Sequence, residues 1–219
     1  MLAELIAQSL NKNLNEEQRS QDYSKFRVSD AGRCHLMRYW KRQGKPFSDV
    51  PDERTLRIFE VGRVFHIWLQ NLLRLKKVLV AEEFEVQDKH RIGHVDAVVM
   101  TEQGLVLYDF KTVHSKKFHY MKKFETDGDR HYAMQAYTYA MMLPFGVTDI
   151  RIAYISKDDL CIREVSINEE YPNIDEWVLK DWVKLIECWD SQTEPEPNPM
   201  DWECGYCGYK SSCEFGQKQ

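Results

Sequence analysis

A mixed α/β domain is the fold class this sequence predicts, and three observations predict it. Residues 53–77 carry a helical period, with Phe59, Gly62, His66, Leu69 and Leu73 on one stripe. The period then changes to that of strands, in the runs 78–87, 91–100 and 105–112. Helical patterns return at 129–143 and 174–190, so helices stand before and after a central sheet with antiparallel pairs.

Each element follows from its local sequence. Residues 1–20 read as a short polar-apolar helix. Residues 30–42 read as a second, with Ser29 or Asp30 placed to cap it. Gly62 stands one turn before His66 and is expected to allow close packing there. The link Thr101-Glu102-Gln103-Gly104 is short enough for a hairpin between the second and third strands. Pro144-Phe145-Gly146 stops the helix of 129–143. Residues 149–156 and 160–167 form a further hairpin across Lys157-Asp158-Asp159. The helix at 174–190 carries Ile174, Val178, Trp182, Leu185 and Trp189 on one face. Pro195, Pro197 and Pro199 make 191–203 an extended arm.

Composition bounds the function classes. The chain has 219 residues, 43% hydrophobic and 30% charged, which excludes a disordered or collagen-like protein. No apolar run approaches the ~18 residues of a membrane span. The start carries Glu4 and no basic segment, so no secretory signal and a cytoplasmic address are expected. The net charge of −5 excludes a uniformly basic nucleic-acid coat and leaves room for local basic patches. Two such stretches occur. Arg33, Arg38, Lys41 and Arg42 belong to the first, and Lys116, Lys117, Lys122 and Lys123 to the second. Tyr39, Trp40, Phe118, Tyr120 and Phe124 are interleaved with them. Exposed rings among these would stack on unpaired bases.

The chemistry concentrates on the second and third strands. Asp96 is embedded among Val95, Ala97, Val98 and Val99, and Asp109 and Lys111 follow Leu105-Val106-Leu107-Tyr108. A hairpin centred between Glu102 and Gln103 pairs positions whose numbers sum to 205, which sets Asp96 opposite Asp109 on one face. A bulge at Gly104 would shift that register by a residue. Alternation puts Lys111 on the same face as Asp109. Facing carboxylates repel unless a cation sits between them, and Mg²⁺ or Mn²⁺ suits oxygen ligands. A lysine beside them orients or activates a water, or neutralises a developing phosphorane, as metal-assisted phosphodiester hydrolysis requires. His66 is a candidate third ligand. Gln135 and Tyr139 stand one turn apart on the next helix.

Six cysteines in a chain without an export signal argue against a disulfide framework. Cys204-Gly205-Tyr206-Cys207 with Cys213 provides three thiolates, and Cys34, in the basic helix, is the best candidate for a fourth. Four thiolates suit Zn²⁺ or an iron–sulfur cluster. The second C-x-x-C pair of a usual zinc ribbon is missing. Cys161 and Cys188 are expected to be buried small hydrophobes.

Taken in order, the motifs resemble the RecB-like branch of the PD-(D/E)xK nuclease superfamily. Gly62-Arg63-Val64-Phe65-His66 resembles its helical histidine motif and Gly93-His94-Val95-Asp96 its G-x-x-D motif. Asp109-Phe110-Lys111 resembles its D/E-x-K element, and Gln135 with Tyr139 its Q-x-x-x-Y motif. The cysteine spacing resembles that of the iron–sulfur members, which include the CRISPR-associated exonucleases. The resemblance implies a restriction-endonuclease-like core, a mixed central sheet flanked by helices. It implies metal ligation by His66, Asp96, Asp109 and the Phe110 carbonyl, with Lys111 as the catalytic lysine. Gln135 and Tyr139 would position the DNA backbone. It also implies a [4Fe–4S] cluster on Cys34, Cys204, Cys207 and Cys213, with Zn²⁺ as the alternative, joining the two ends of the domain.

The expected organisation is a single nuclease domain over 1–219, with the sheet and active-site region in 78–167. Residues 25–45 together with 191–219 form a cluster-binding lobe. The expected activity is a Mg²⁺- or Mn²⁺-dependent single-strand exonuclease, 5′→3′ by resemblance. Its partners would be single-stranded or end-frayed DNA and either CRISPR integrase or recombination proteins, with no membrane. A phage-type recombination exonuclease of the same superfamily and a non-catalytic DNA-binding zinc protein stand as alternatives.

Overall fold

A computed structural model of the chain describes residues 4–6, 8–10, 12, 23–121 and 129–219. Most of the expected first helix lies outside these residues, as do Lys122, Lys123 and Phe124. One sheet is built from β1 (Phe26–Arg27), β2 (Leu79–Gln87), β3 (Arg91–Thr101), β4 (Gly104–Val113), β5 (Asp149–Ser156) and β6 (Ile162–Ser166). The helices are α1 (His35–Arg42), α2 (Glu53–Leu75), α3 (Ser115–Met121), α4 (Arg130–Met142), α5 (Ile167–Glu170) and α6 (Ile174–Asp190). Among the described residues no helix is long and apolar enough to cross a membrane.

The sheet is mixed. β3 pairs antiparallel with β2 and β4, β4 parallel with β5, and β5 antiparallel with β6. Both faces are covered, which is why the strands read as continuous apolar runs. On one face Val95, Val98, Leu107 and Ile152 pack in a core shared with Trp182 and Leu185 of α6. On the other, Ala97, Val99, Phe110 and Ile155 pack against Leu69 of α2.

The β3–β4 hairpin takes the register the sequence predicts. Pairs run from Thr101↔Gly104 to Ala97↔Tyr108, with no shift at Gly104. The next pair would be Asp96 with Asp109, and there the ladder stops. Ile92 pairs with Gln87 of β2 and with Arg27 of β1, so β1 occupies the edge that β4 has left. Between the two lies a gap in the β3 edge at Gly93–Asp96. Tyr139 of α4 fills it. A Cβ on Gly93 would meet the Tyr139 ring at 2.6 Å, so only glycine fits. Gly62 has no such constraint: a Cβ there would reach Thr112 Oγ1 at 3.5 Å, an ordinary contact.

Strict alternation fails at the same place. Val95 and Val98, three apart, share one core, and Ala97 and Val99 share the other. On β2, Ala81 and Phe84 are likewise three apart and pack on the first core. Between them Glu83 takes a φ of 43°, left-handed backbone inside a strand. The pleat therefore slips by one position in both strands at Glu83 and Asp96.

Several expectations change on folding. Phe59 is 58% exposed, because the buried side of α2 rests on the sheet mainly through its second half. Tyr39, Trp40 and Phe118 are core residues. Arg38 is buried, pairs with Asp181 at 2.7 Å and lies over the Trp182 ring. Arg42 is buried over Phe26 and Trp189 and donates to the Ser24 carbonyl. These two arginines hold α1 in place and are not available to DNA, since a buried charge is retained only where it is paired and packed. Lys41 pairs with Asp30 at 2.7 Å. Cys161 is exposed and Cys188 half-buried, so neither is a core thiol.

Candidate active site

The splay of β3 from β4 builds the site. Where the ladder ends, the Phe110 amide donates to Asp96 Oδ2 at 2.7 Å, and the carboxylate replaces the missing strand partner. Asp96 leans towards α2, where His66 Nδ1 stands 3.5 Å from its Oδ1. Asp109 leans towards α4. Its Oδ2 lies 2.7 Å from Lys111 Nζ, and Gln135 Nε2 donates to its Oδ1 at 3.0 Å. Lys111 also donates to Gln135 Oε1 at 3.3 Å. The two carboxylates are thus held from different sides of the splay, Asp96 by His66 of α2 and Asp109 by Gln135 of α4, and do not stand side by side on one sheet face.

Electrostatics follow from this packing. Burial, with the neighbouring Asp96 charge, pushes the Asp109 carboxyl up to about 6 despite Lys111. Asp96 is also buried, yet the hydrogen bond and charge of His66 and the charge of Lys111 hold it below the usual carboxylate range. Burial opposes the charge on Lys111, but Asp109 and Asp96 outweigh it and raise its pKa. His66 follows the same pattern: burial lowers it, and Asp96 more than restores it.

Glu83 joins this group. One ligand atom each of His66, Glu83 and Asp96 lies within 4.8 Å of the other two. Gln70, one turn after His66 and buried, donates to Glu83 Oε1 at 2.9 Å and to the Asp96 carbonyl at 3.0 Å. No local pattern identifies Glu83, which is one acid of several on β2. Only the β2–β3 register sets it beside Asp96. Gln135 and Tyr139 are both buried, behind the carboxylates. Their contacts are to Asp109, Lys111 and Gly93, so they do not face outward to a DNA backbone.

The four predicted cysteines come together elsewhere. Cys34, Cys204, Cys207 and Cys213 line one cavity, walled also by Trp40 and Tyr209. Glu203, buried, receives the Cys34 amide at 3.0 and 3.2 Å and Arg33 Nε at 3.0 Å, tying the tail to the start of α1. Asn198 of the extended arm accepts from the His35 amide at 2.7 Å. Asp49 accepts from the Ser211 amide and hydroxyl. A Cβ on Gly208 would strike Phe47 at 2.8 Å. The amides of Tyr209 and Gly216 point at the sulfurs of Cys207 and Cys213, at 3.5 and 3.4 Å. Burial raises the thiol pKa of Cys34, Cys204 and Cys207, and neighbouring thiols add to it for the last two. A cation is what would make these groups thiolates.

Comparison with known proteins agrees with the geometry. The family model described as the PD-(D/E)XK nuclease superfamily matches residues 77–214. No curated protein matches the sequence significantly. Among the solved structures that match, the crystal structure of SSO0001 aligns with a TM-score of 0.61 at 20% identity, over 99% of this chain and 97% of that one. At that identity the likeness is one of fold.

Proposed function

The chain belongs to the PD-(D/E)XK nuclease superfamily, and from that premise we propose that it is a divalent-metal-dependent DNA nuclease acting at the β3–β4 splay. The observation that carries the reading is Asp109 held between Lys111 and Gln135, with Asp96 and His66 across the gap. The donor set fits Mg²⁺ or Mn²⁺: hard carboxylate oxygens and one imidazole, with ligand atoms of His66, Glu83 and Asp96 within 4.8 Å of one another. His66, Asp96, Asp109 and the Phe110 carbonyl would hold it, with Glu83 added to that set. When bound, the ion supplies a Lewis acid and an acidified water.

The chain's own residues do the rest. Asp109 surrenders the proton that burial lets it keep to about pH 6. Lys111, held in its charged form, stands where negative charge develops on the phosphoryl oxygens, a stabilising role more than a basic one. Gln135 fixes Lys111 and Asp109 relative to each other, and Tyr139 closes the gap in β3, so both act as positioning residues.

The finer reading is an exonuclease on single-stranded or frayed ends, 5′→3′, with CRISPR integrase or recombination proteins as partners. Its support is the ordered motif set from His66 to Tyr139. We assign the four cysteines a structural [4Fe–4S] cluster. The support is the spacing of Cys204, Cys207 and Cys213 and the one cavity they line with Cys34.

The test is cleavage of end-labelled linear single strands, linear duplex and closed circles with Mn²⁺. Linear single strands should be degraded first. Asp109→Ala and Asp96→Ala should each lose at least about 10³-fold in rate, with the circular dichroism of the fold retained. Full activity in Asp109→Ala overturns the site, and equal cutting of closed circles overturns the exonuclease mode. A colourless protein holding one zinc replaces the cluster and leaves the nuclease.

A further inference from the structure

We propose that Trp202 and Tyr206 form a stacking step for unpaired bases, extending the path of a single DNA strand from the carboxylate pocket onto the cysteine-rich tail. The inference rests on the nuclease reading above. Lys111 Nζ stands 4.7 Å from the centre of the Tyr132 ring, and Lys117 Nζ stands 5.9 Å from it. His131 lies 3.9 Å beyond Tyr132, Trp202 lies 5.3 Å from His131, and Tyr206 lies 6.4 Å from Trp202. The ring contacts form one chain that starts beside the proposed catalytic lysine.

Exposure rises from Tyr132 to Trp202 to Tyr206, with one buried ring between the first two. Tyr132 is half-buried, Trp202 is 38% exposed and Tyr206 is 80% exposed. His131 is buried and serves as the link beneath. Trp202 and Tyr206 are tilted at 58°, so neither ring covers the other. A tyrosine ring this exposed contributes little to packing. Positive groups stand beside the rings: the Arg33 guanidinium, paired with Glu203, lies 5.6 Å from the Trp202 ring centre, Lys117, paired with Asp129, lies by Tyr132, and Lys116 next to it is exposed. Flat exposed rings beside cations are what a single strand needs, because every unpaired base has a face to stack and a phosphate to neutralise. A duplex keeps its base faces covered, so the step favours single strands.

The experiment is fluorescence anisotropy of a labelled oligo-dT, with Ca²⁺ replacing Mg²⁺ during binding. Tyr206→Ala should weaken binding about 5- to 100-fold. Tyr206→Phe should bind like the wild type. The salt dependence should keep its slope in Tyr206→Ala, because no charge is lost, whereas joint charge reversal of Lys116 and Lys117 should flatten it. Trp202→Ala should act as Tyr206→Ala does. If Trp202→Ala fails to fold, the more exposed Tyr206 decides.

Folded Tyr206→Ala that binds oligo-dT as tightly as the wild type overturns the proposal. So does a Tyr206→Phe that weakens as much as Tyr206→Ala, or a wild type that does not bind oligo-dT. Wild-type cleavage of oligo-dT under Mn²⁺ is measured beside these. Cleavage with an unchanged Tyr206→Ala removes the stacking step alone. Binding that depends on Tyr206 in a wild type that never cleaves removes the nuclease reading alone.

Discussion

The carboxylate pocket and the cysteine cavity both gather ligand-type side chains, but they are assembled by opposite means. In the pocket, Asp96, Asp109 and Lys111 sit on adjacent strands joined by a two-residue turn, and the hairpin register carries them to the point where those strands part. In the cavity, Cys34 meets three cysteines from the far end of the chain, and hydrogen bonds accepted by Glu203, Asn198 and Asp49 span the gap. A site built by local register stands ready before its metal arrives. A site built by closing a loop of roughly 170 residues has that closure entropy to offset, and the proposed cluster would help offset it. On the reading proposed above, metal at the pocket would serve reaction, and metal at the cavity would serve folding.

The largest break in that contrast would come at Cys34. Cys34→Ser should lose the proposed cluster, seen as loss of absorbance near ~400 nm, and with it solubility or a cooperative melt. Cys161→Ser, at an exposed thiol, should change neither. A Cys34→Ser protein that melts like the wild type would make the cavity as dispensable to the fold as the pocket's metal.

At the pocket the expected losses are kinetic. Lys111→Ala should cost on the order of 10²–10⁴ in rate while Mn²⁺ still binds, as read by the electron paramagnetic resonance of the bound ion. Loss of binding together with rate would move Lys111 from chemistry to assembly.

Glu83→Gln should weaken Mn²⁺ about 10- to 100-fold and leave the melting temperature of the metal-free protein unchanged or higher. Relief of repulsion with Asp96 sets that sign. Unchanged Mn²⁺ affinity would return Glu83 to the surface acids.

The smallest effect concerns pH. Burial raises Asp109 from an unfolded value near 3.8 to about 6, so the folded chain binds the proton more tightly. Its contribution is therefore retained at low pH and lost as pH rises from about 3.8 through about 6. Compared with Asp109→Asn, metal-free wild type should melt progressively lower across that window, and Mn²⁺ should erase the gap above it. A difference that is flat with pH would mean that Asp109 is not strained in the metal-free pocket.

How far each site was legible in the sequence follows from the same contrast. The strand spans, the hairpin register and the juxtaposition of Asp109 and Lys111 were readable because alternation and a short turn are local constraints. The motif order pointed to His66 and Gln135, and folding brought both beside the carboxylates. The grouping of Cys34 with the tail was also readable, since the tail lacked a fourth thiol. Burial of the basic helix was not. Arg38 and Arg42 look like a nucleic-acid patch until Asp181, Trp182 and Trp189 arrive from a distant helix.

By itself, then, the sequence determined the elements and the chemistry they carry. Only the tertiary structure decided where the β3–β4 ladder ends, that Glu83 adopts a left-handed backbone beside Asp96, and that ring contacts through Tyr132 and His131 connect Trp202 to Lys111. The physical reason is range. Propensity, periodicity and turn chemistry act over a few residues. Strand splay, charge burial and ring alignment depend on which remote surfaces fill the space around them, and no local pattern encodes that.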